Sequence, residues 1–443
     1  MSVPFSAHAA ARVSRLRLLP KAALMLSFLV AEHGALTAPQ PLTLGEAQQR
    51  AVARSRQLGA QDQAITAAYE MAVAAGQRPD PVLKVGIDNL PVSGSDRLSL
   101  GHDFMTMRRM GLSQELTGAD KLHWRSVRYQ IEGDKARAQK DVALAAIERD
   151  TAIAWLTVFY SEQMASAVAA QVTVSRQEIA AAEAVYRGGR GSAADILAAR
   201  SALLALDDRA SEVQRRQRAA HTMLARWTGE DTPVAGTPDI ERIRLDPAAL
   251  DTDLALHPQM AVLNQQADLA QADANLARAN QHTDWSVEVA FQQRGSVYSN
   301  MLSVGISVPL QWDRKNRQDR DLAAKLALVE QTKAERDEML REHIAETHSM
   351  LIAWQSGQER IARYTHESLP LAAEHSQVVL AAYRAGQATL ANVLAARRGE
   401  LELRLQSLEV ALETARLWAQ LNFLFPEGAA AQHSATINHQ EAK

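Results

Sequence analysis

Cysteine does not occur anywhere in the 443 residues. Its absence excludes structural disulfides, thiolate metal ligands and the lipid-bearing N-terminal cysteine that some envelope proteins use. Turn formers are scarce as well, with 14 Pro and 21 Gly, so the backbone has few places to reverse and its elements must be long. Aromatics make up 5% of the chain and the hydrophobic 47% is dominated by Ala. That composition suits slender packed helices better than a thick globular core. A formal charge of −3 lacks the basic excess of a nucleic-acid binder. After the first forty residues no run is apolar enough for a transmembrane helix, which needs about 20 residues.

The N-terminus differs from the rest. Arg12, Arg15, Arg17 and Lys21 form a positive segment, Ala22 to Val30 an apolar one, and Ala35, Thr37 and Ala38 a small-residue cleavage zone. Residues 1–38 therefore read as a secretory signal peptide, since so short an apolar run cannot cross a bilayer as a helix.

The remainder of the chain is one design used twice. Tyr186-Arg-Gly-Gly-Arg-Gly-Ser-Ala-Ala-Asp-Ile-Leu-Ala-Ala-Arg200 returns 197 residues later as Tyr383-Arg-Ala-Gly-Gln-Ala-Thr-Leu-Ala-Asn-Val-Leu-Ala-Ala-Arg397. The offset is far beyond solenoid periods, so each copy is a domain-sized unit. The copies span 39–229 and 259–426, joined by a proline-rich linker, 230–258, and succeeded by a disordered tail, 427–443. In copy one a helix is expected from Leu42 to about Gly76, opened by Thr43 with Glu46 as a capping box. Two rods of helix are expected from about Ala119 to Tyr186 and from about Arg317 to Tyr383, with a break near Pro370. At 1.5 Å per residue each rod is about 100 Å long. Each rod is succeeded by a return helix, with seams through Ile196, Ala199, Leu203, Leu206, Ala210, Val213, Gln217, Ala220, Leu224 and Trp227, and through Leu394, Leu401, Leu405, Leu408 and Leu412.

Between helices the period changes to two. Leu83, Val85 and Ile87 alternate with Lys84, Gly86 and Asp88, and Met110, Leu112 and Leu116 share one parity. Copy two shows it more clearly: Trp285, Val287, Val289 and Phe291, then Leu302, Val304, Ile306, Val308 and Leu310, alternate with polar or tiny residues. Apolar on one face and polar on the other fits a strand with lipid outside and water inside, or a half-buried hairpin on a soluble core. Four strands cannot close a barrel. If they cross a membrane, several chains share one barrel.

The order of leader, helix, strand pair, long helix, glycine tip and return helix resembles the TolC-type outer-membrane efflux family over essentially the whole chain. The most specific pieces are Tyr383 to Leu394 and Gly111-Leu-Ser-Gln-Glu-Leu116 with its counterpart Gly305-Ile-Ser-Val-Pro-Leu310. Met110 to Thr117, with Lys121 soon after, looks like the family's heavy-metal branch, the CzcC and CusC type. The resemblance implies a mainly α fold with a small β part: long coiled-coil hairpins forming an α-barrel, and four strands per chain in a shared twelve-stranded transmembrane β-barrel. It implies a homotrimer in outer-membrane lipid, extending into the periplasm. Its role would be passive conduction of heavy-metal cations from an inner-membrane pump of the resistance-nodulation-division type through a periplasmic adaptor. Multidrug efflux and type I protein secretion are the alternatives within the family; a periplasmic adaptor or a structural coiled-coil protein are those outside it.

In the family the hairpin tips narrow the periplasmic mouth and meet the adaptor. Here that assigns Tyr186, Gly189, Ser192, Asp195, Tyr383, Gly386, Thr389 and Asn392, with the glycines as turn residues and Ser192 and Thr389 as helix caps. Some relatives close the mouth with an arginine and aspartates; this chain has Ala388, Asn392 and Ala395, so a mouth held by packing and hydrogen bonding is expected. Met105, Met107 and Met110 offer the soft thioethers that Cu(I) accepts, or plain apolar surface. His343 and His348, five apart, sit about 140° from one another on a helix and do not make the i, i+4 pair of a zinc site. No phosphate loop, nucleophile elbow or cofactor motif occurs, so an enzyme is not expected.

Overall fold

A computed structural model describes residues 41–189 and 191–426. The expected leader and tail lie outside the described residues. The first helical stretch is two helices: α1 (Leu44–Arg54) and α2 (Arg56–Ala75). Thr43 and Glu46 form the expected capping box. The break at Ser55 was not expected. Its backbone leaves helical space and its hydroxyl accepts from Leu58 N at 3.3 Å, so a serine side chain has replaced one turn of ladder and starts α2.

Strands β1 (Val82–Asp88) and β2 (Met107–Leu116) lead into α3 (Ala119–Arg187), a single rod of 69 residues that returns through α4 (Ala193–Thr228). A short helix α5 (Leu250–Ala255) lies in the segment expected as a linker, and the second copy then runs α6 (Pro258–Ala279), β3 (Trp285–Gln293), β4 (Met301–Ser307), α7 (Gln318–Arg363), α8 (Leu369–Arg384) and α9 (Leu390–Asn422). Between α7 and α8, Tyr364–Ser368 is a π turn in which Leu369 N–H reaches Tyr364 O, five residues back. Pro370 sits just beyond it. The expected break thus takes the form of a widened turn, because the proline has no N–H to continue the ladder. One strand is shorter than expected: β4 ends at Ser307, so Val308 and Leu310 fall outside it. Pro309 has no N–H to extend a ladder.

The four strands form one antiparallel sheet in the order β1-β2-β3-β4. The pairing of β2 with β3 joins the two copies, and it leaves β1 and β4 as free edges. Helices repeat this plan above and below the middle of the rod. α2 packs on α3, α3 on α6 and α6 on α7; nearer the tips α4 packs on α3, α3 on α9 and α9 on α8. In each row the first copy supplies one edge and the second copy the other.

The segment expected as a linker is part of the core. Leu42 bridges Val234, and three buried indoles hold the neighbouring backbone: Trp155 Nε1 donates to Leu42 O (2.8 Å), Trp354 Nε1 to Ile240 O (3.2 Å) and Trp418 Nε1 to Arg242 O (2.6 Å). Irregular buried backbone needs such partners. α3, α7 and α9 each contribute one.

His257 ends this belt and caps α6, its Nδ1 accepting from Gln259 N at 3.1 Å. Its ring lies 4.4 Å from that of His343 and 5.4 Å from that of Phe425. Burial, then the neighbouring His343, holds its pKa down at about 4, and burial lowers that of His343 as well. An imidazole with a depressed folded-state pKa binds its proton in the unfolded chain first. Stability is therefore full above the unfolded value near 6.5 and falls as pH drops towards 4, by up to roughly 3 kcal/mol for His257. Unfolding midpoints measured from pH 7.5 to 4 should fall steeply, and the slope should flatten in His257→Asn, which keeps a cap without a charge.

Candidate functional site

The two faces of the sheet differ completely. Register places Leu83, Leu112, Val289 and Val304 in one row and Val85, Met110, Phe291 and Leu302 in the next, with Val287 beside Ile306 and Trp285 beside Leu116. Most of these side chains are exposed; Val304 is 67% exposed. Polar residues on this face, Arg108, Gln114 and Gln293, lie towards its ends. Trp285 borders the apolar zone, and Trp312, 89% exposed, lies in the stretch between β4 and α7. Val308, expected on the apolar face, lies in that stretch beyond the last strand residue. Tilted strands of up to ten residues cover about 25 Å of height.

The opposite face is small or hydrogen-bonded. Ser303 and Gly305 of β4 stand beside Ala290 and Glu288 of β3. Gly111 is required here, because a Cβ would come within 2.9 Å of Ala290 Cβ. Across β1, β2 and β3 runs an ion network that the alternation alone did not suggest. Glu288 accepts from Lys84 Nζ at 2.6 Å and from Arg109 Nη2, and Arg109 Nη1 lies 3.8 Å from Asp88. The common parity of Lys84, Asp88 and Glu288 was visible in the sequence, but their contact depends on which strands are neighbours.

The methionines are not brought together as one ligand set. Met107 and Met110, three apart on a strand, lie on opposite faces, and Met105 precedes the strand. His343 and His348 also part company: the first packs on His257, the second meets Asp251 at 3.0 Å.

At the far end of the rods the two hairpin tips pack as one cluster. Ala182 and Ala199 from the first meet Leu390, Val393 and Tyr383 from the second. Tyr383 is thus partly buried in the cluster, whereas its counterpart Tyr186 is exposed. Gly189 and Gly386 both have φ of 75°. Ser192 accepts from Ala194 N (3.1 Å) and Thr389 from Asn392 N (3.3 Å), so both caps are formed. Asn392 Oδ1 also accepts from Thr389 Oγ1 at 2.6 Å. Asp195 lies in the first turn of α4, where the helix dipole favours an anion.

Sequence reasoning missed an ion pair near the tips. Arg397 of α9 lies 3.7 Å from Glu178 of α3 and 3.2 Å from Glu400. Burial pushes the Glu178 carboxyl up and Arg397 opposes this.

The left-handed turns make a direct prediction. A Cβ at residue 386 meets no atom within 4 Å, so Gly386→Ala should lose about 1–2 kcal/mol from backbone strain alone. A thermal melt unchanged from wild type would contradict the turn geometry.

No family model and no curated protein matches the sequence. Solved structures do match. The chain is similar to the Campylobacter jejuni CmeC outer membrane channel, with a TM-score of 0.74 and 10% identity over 89% of this chain and 88% of that one. It is similar to the outer-membrane channel OprN, with a TM-score of 0.73 and 15% identity over 87% and 90%. It is also similar to CusC, described in terms of folding and transmembrane channel formation, with a TM-score of 0.71 and 14% identity over 87% and 92%. Identity this low makes the likeness one of fold: a mostly helical chain of long rods with a four-stranded antiparallel part.

Proposed function

We propose that this chain is an outer-membrane channel of a tripartite efflux system. The observation that carries the reading is the sheet, with one exposed apolar face, one hydrogen-bonded polar face and two unpaired edges. Free strand edges in lipid leave backbone groups without partners, so they must be closed. Because one edge comes from each copy of the repeat, β4 of one chain can pair with β1 of the next, a head-to-tail contact that closes into a ring. Two chains would give eight strands, whose interior is filled by side chains; three give twelve and leave an open lumen. A homotrimer is the smallest ring that conducts. No described helix is long and apolar enough to cross a membrane, so the strands are the crossing elements in this reading.

The rods then carry the lumen across the periplasm to the clustered tips, where an adaptor and an inner-membrane resistance-nodulation-division pump would dock. Heavy-metal cations are the proposed cargo, on the strength of the segment from Met110 to Thr117 with Lys121. The activity is conduction, and no step needs a catalyst or cofactor.

Purified protein should run in detergent as a trimer and give discrete current steps in planar lipid bilayers. A monomer that leaves the bilayer silent would remove the proposal. A deletion strain should become sensitive to copper, silver, zinc, cobalt or cadmium; sensitivity to drugs alone would replace the cargo while keeping the channel. Asn392 is engaged within its own cap, so Asn392→Ala should change single-channel current only modestly. A large jump would show that it holds the mouth shut.

A further inference from the structure

We infer that Glu288 sets the charge selectivity of the lumen, a reading that rests on the proposed channel. The polar face of the strands carries five charged side chains: Lys84 and Arg109 against Asp88, Glu115 and Glu288. Two cations against three carboxylates leave one net negative charge per chain.

Glu288 is the hub of this set. One carboxylate oxygen takes Lys84 of β1 and the other takes Arg109 of β2, so a residue from the second copy neutralises two cations from the first. Arg109 is further shared with Asp88. Nothing on β4 repeats the arrangement, since its polar face is Met301, Ser303, Gly305 and Ser307. Charge is therefore concentrated on three of every four strands, at the same height in each chain.

Twelve tilted strands make a barrel about 24 Å across between backbones. The wall is then within about one Debye length of the axis at 0.1 M salt, roughly 10 Å, but not at 1 M, roughly 3 Å. Permeant ions at low salt feel the belt, and a net negative wall favours cations. Since Glu288 offsets both Lys84 and Arg109, its loss removes the net negative charge and uncovers two cations together.

The test is the reversal potential of the full-length protein in planar bilayers under a KCl gradient. At about 0.1 M, Glu288→Gln should lower the potassium-to-chloride permeability ratio, and Lys84→Met should raise it, each on the order of twofold. The double variant E288Q/K84M restores one net negative charge per chain and should return the ratio to that of wild type, which damage to the barrel would not do. All differences should shrink at 1 M salt. Conducting channels whose ratio is the same in wild type and both single variants would overturn the role of Glu288. Silence of the wild-type protein would instead fail the channel reading beneath it.

Discussion

Val304→Arg should destabilise the proposed membrane-embedded assembly by about 2–4 kcal/mol per chain, while Ser303→Arg, one residue away, should leave its stability near wild type. Val304 is central in the apolar face, paired with Val289 and 67% exposed. In a bilayer that exposure is contact with hydrocarbon, where a guanidinium has no partner. Ser303 points to the other face, beside Ala290, where small neighbours and water accommodate a long charged side chain. In the proposed trimer three copies make the penalty roughly 6–12 kcal/mol. Denaturant titrations of both variants folded into phospholipid vesicles measure the difference. Equal midpoints would mean that the two faces see the same solvent and that no barrel exists.

Trp155→Ala should cost about 3–5 kcal/mol and Trp155→Phe much less. The side chain is 1% exposed, stacks on Phe159 with centroids 5.6 Å apart, and donates to Leu42 O at 2.8 Å. Both variants lose the bond to Leu42 O, which keeps Ala235 N at 3.0 Å; alanine also leaves a cavity at the belt, whereas phenylalanine fills most of the space and loses only the hydrogen bond, worth about 1 kcal/mol. The N-terminal segment bridged to Val234 should loosen in both, read as faster amide exchange around Leu42. A Trp155→Ala protein that melts within a degree of wild type would show that the belt contributes nothing to stability.

Local chemistry was legible where a residue has only one good way to behave. Glycine at the tips predicted left-handed turns, and both adopt the same φ. Thr43 with Glu46 predicted a capping box, and alternation predicted strands whose apolar side chains share a face. Pro370 predicted an interruption, though not that a π turn would absorb it. The Ser55 break was not legible because serine is tolerated inside helices as well as at their starts. The extent of β4 was overestimated because Val308 and Leu310 continue the parity past a residue that ends the ladder.

By itself the sequence determined periods, caps and turns, because these depend on residues within one or two turns of each other. It also determined that one plan is used twice, and that four strands are too few to enclose anything alone. Only the tertiary structure decided that β2 of the first copy pairs with β3 of the second, that the expected linker is threaded through the core on two indoles, and that Glu288 reaches both Lys84 and Arg109. The reason is physical. A strand edge is equally open to any neighbour, a carbonyl accepts from any donor, and a carboxylate attracts any cation, so the choice among partners far apart in the chain is made by the packing that brings one of them within reach.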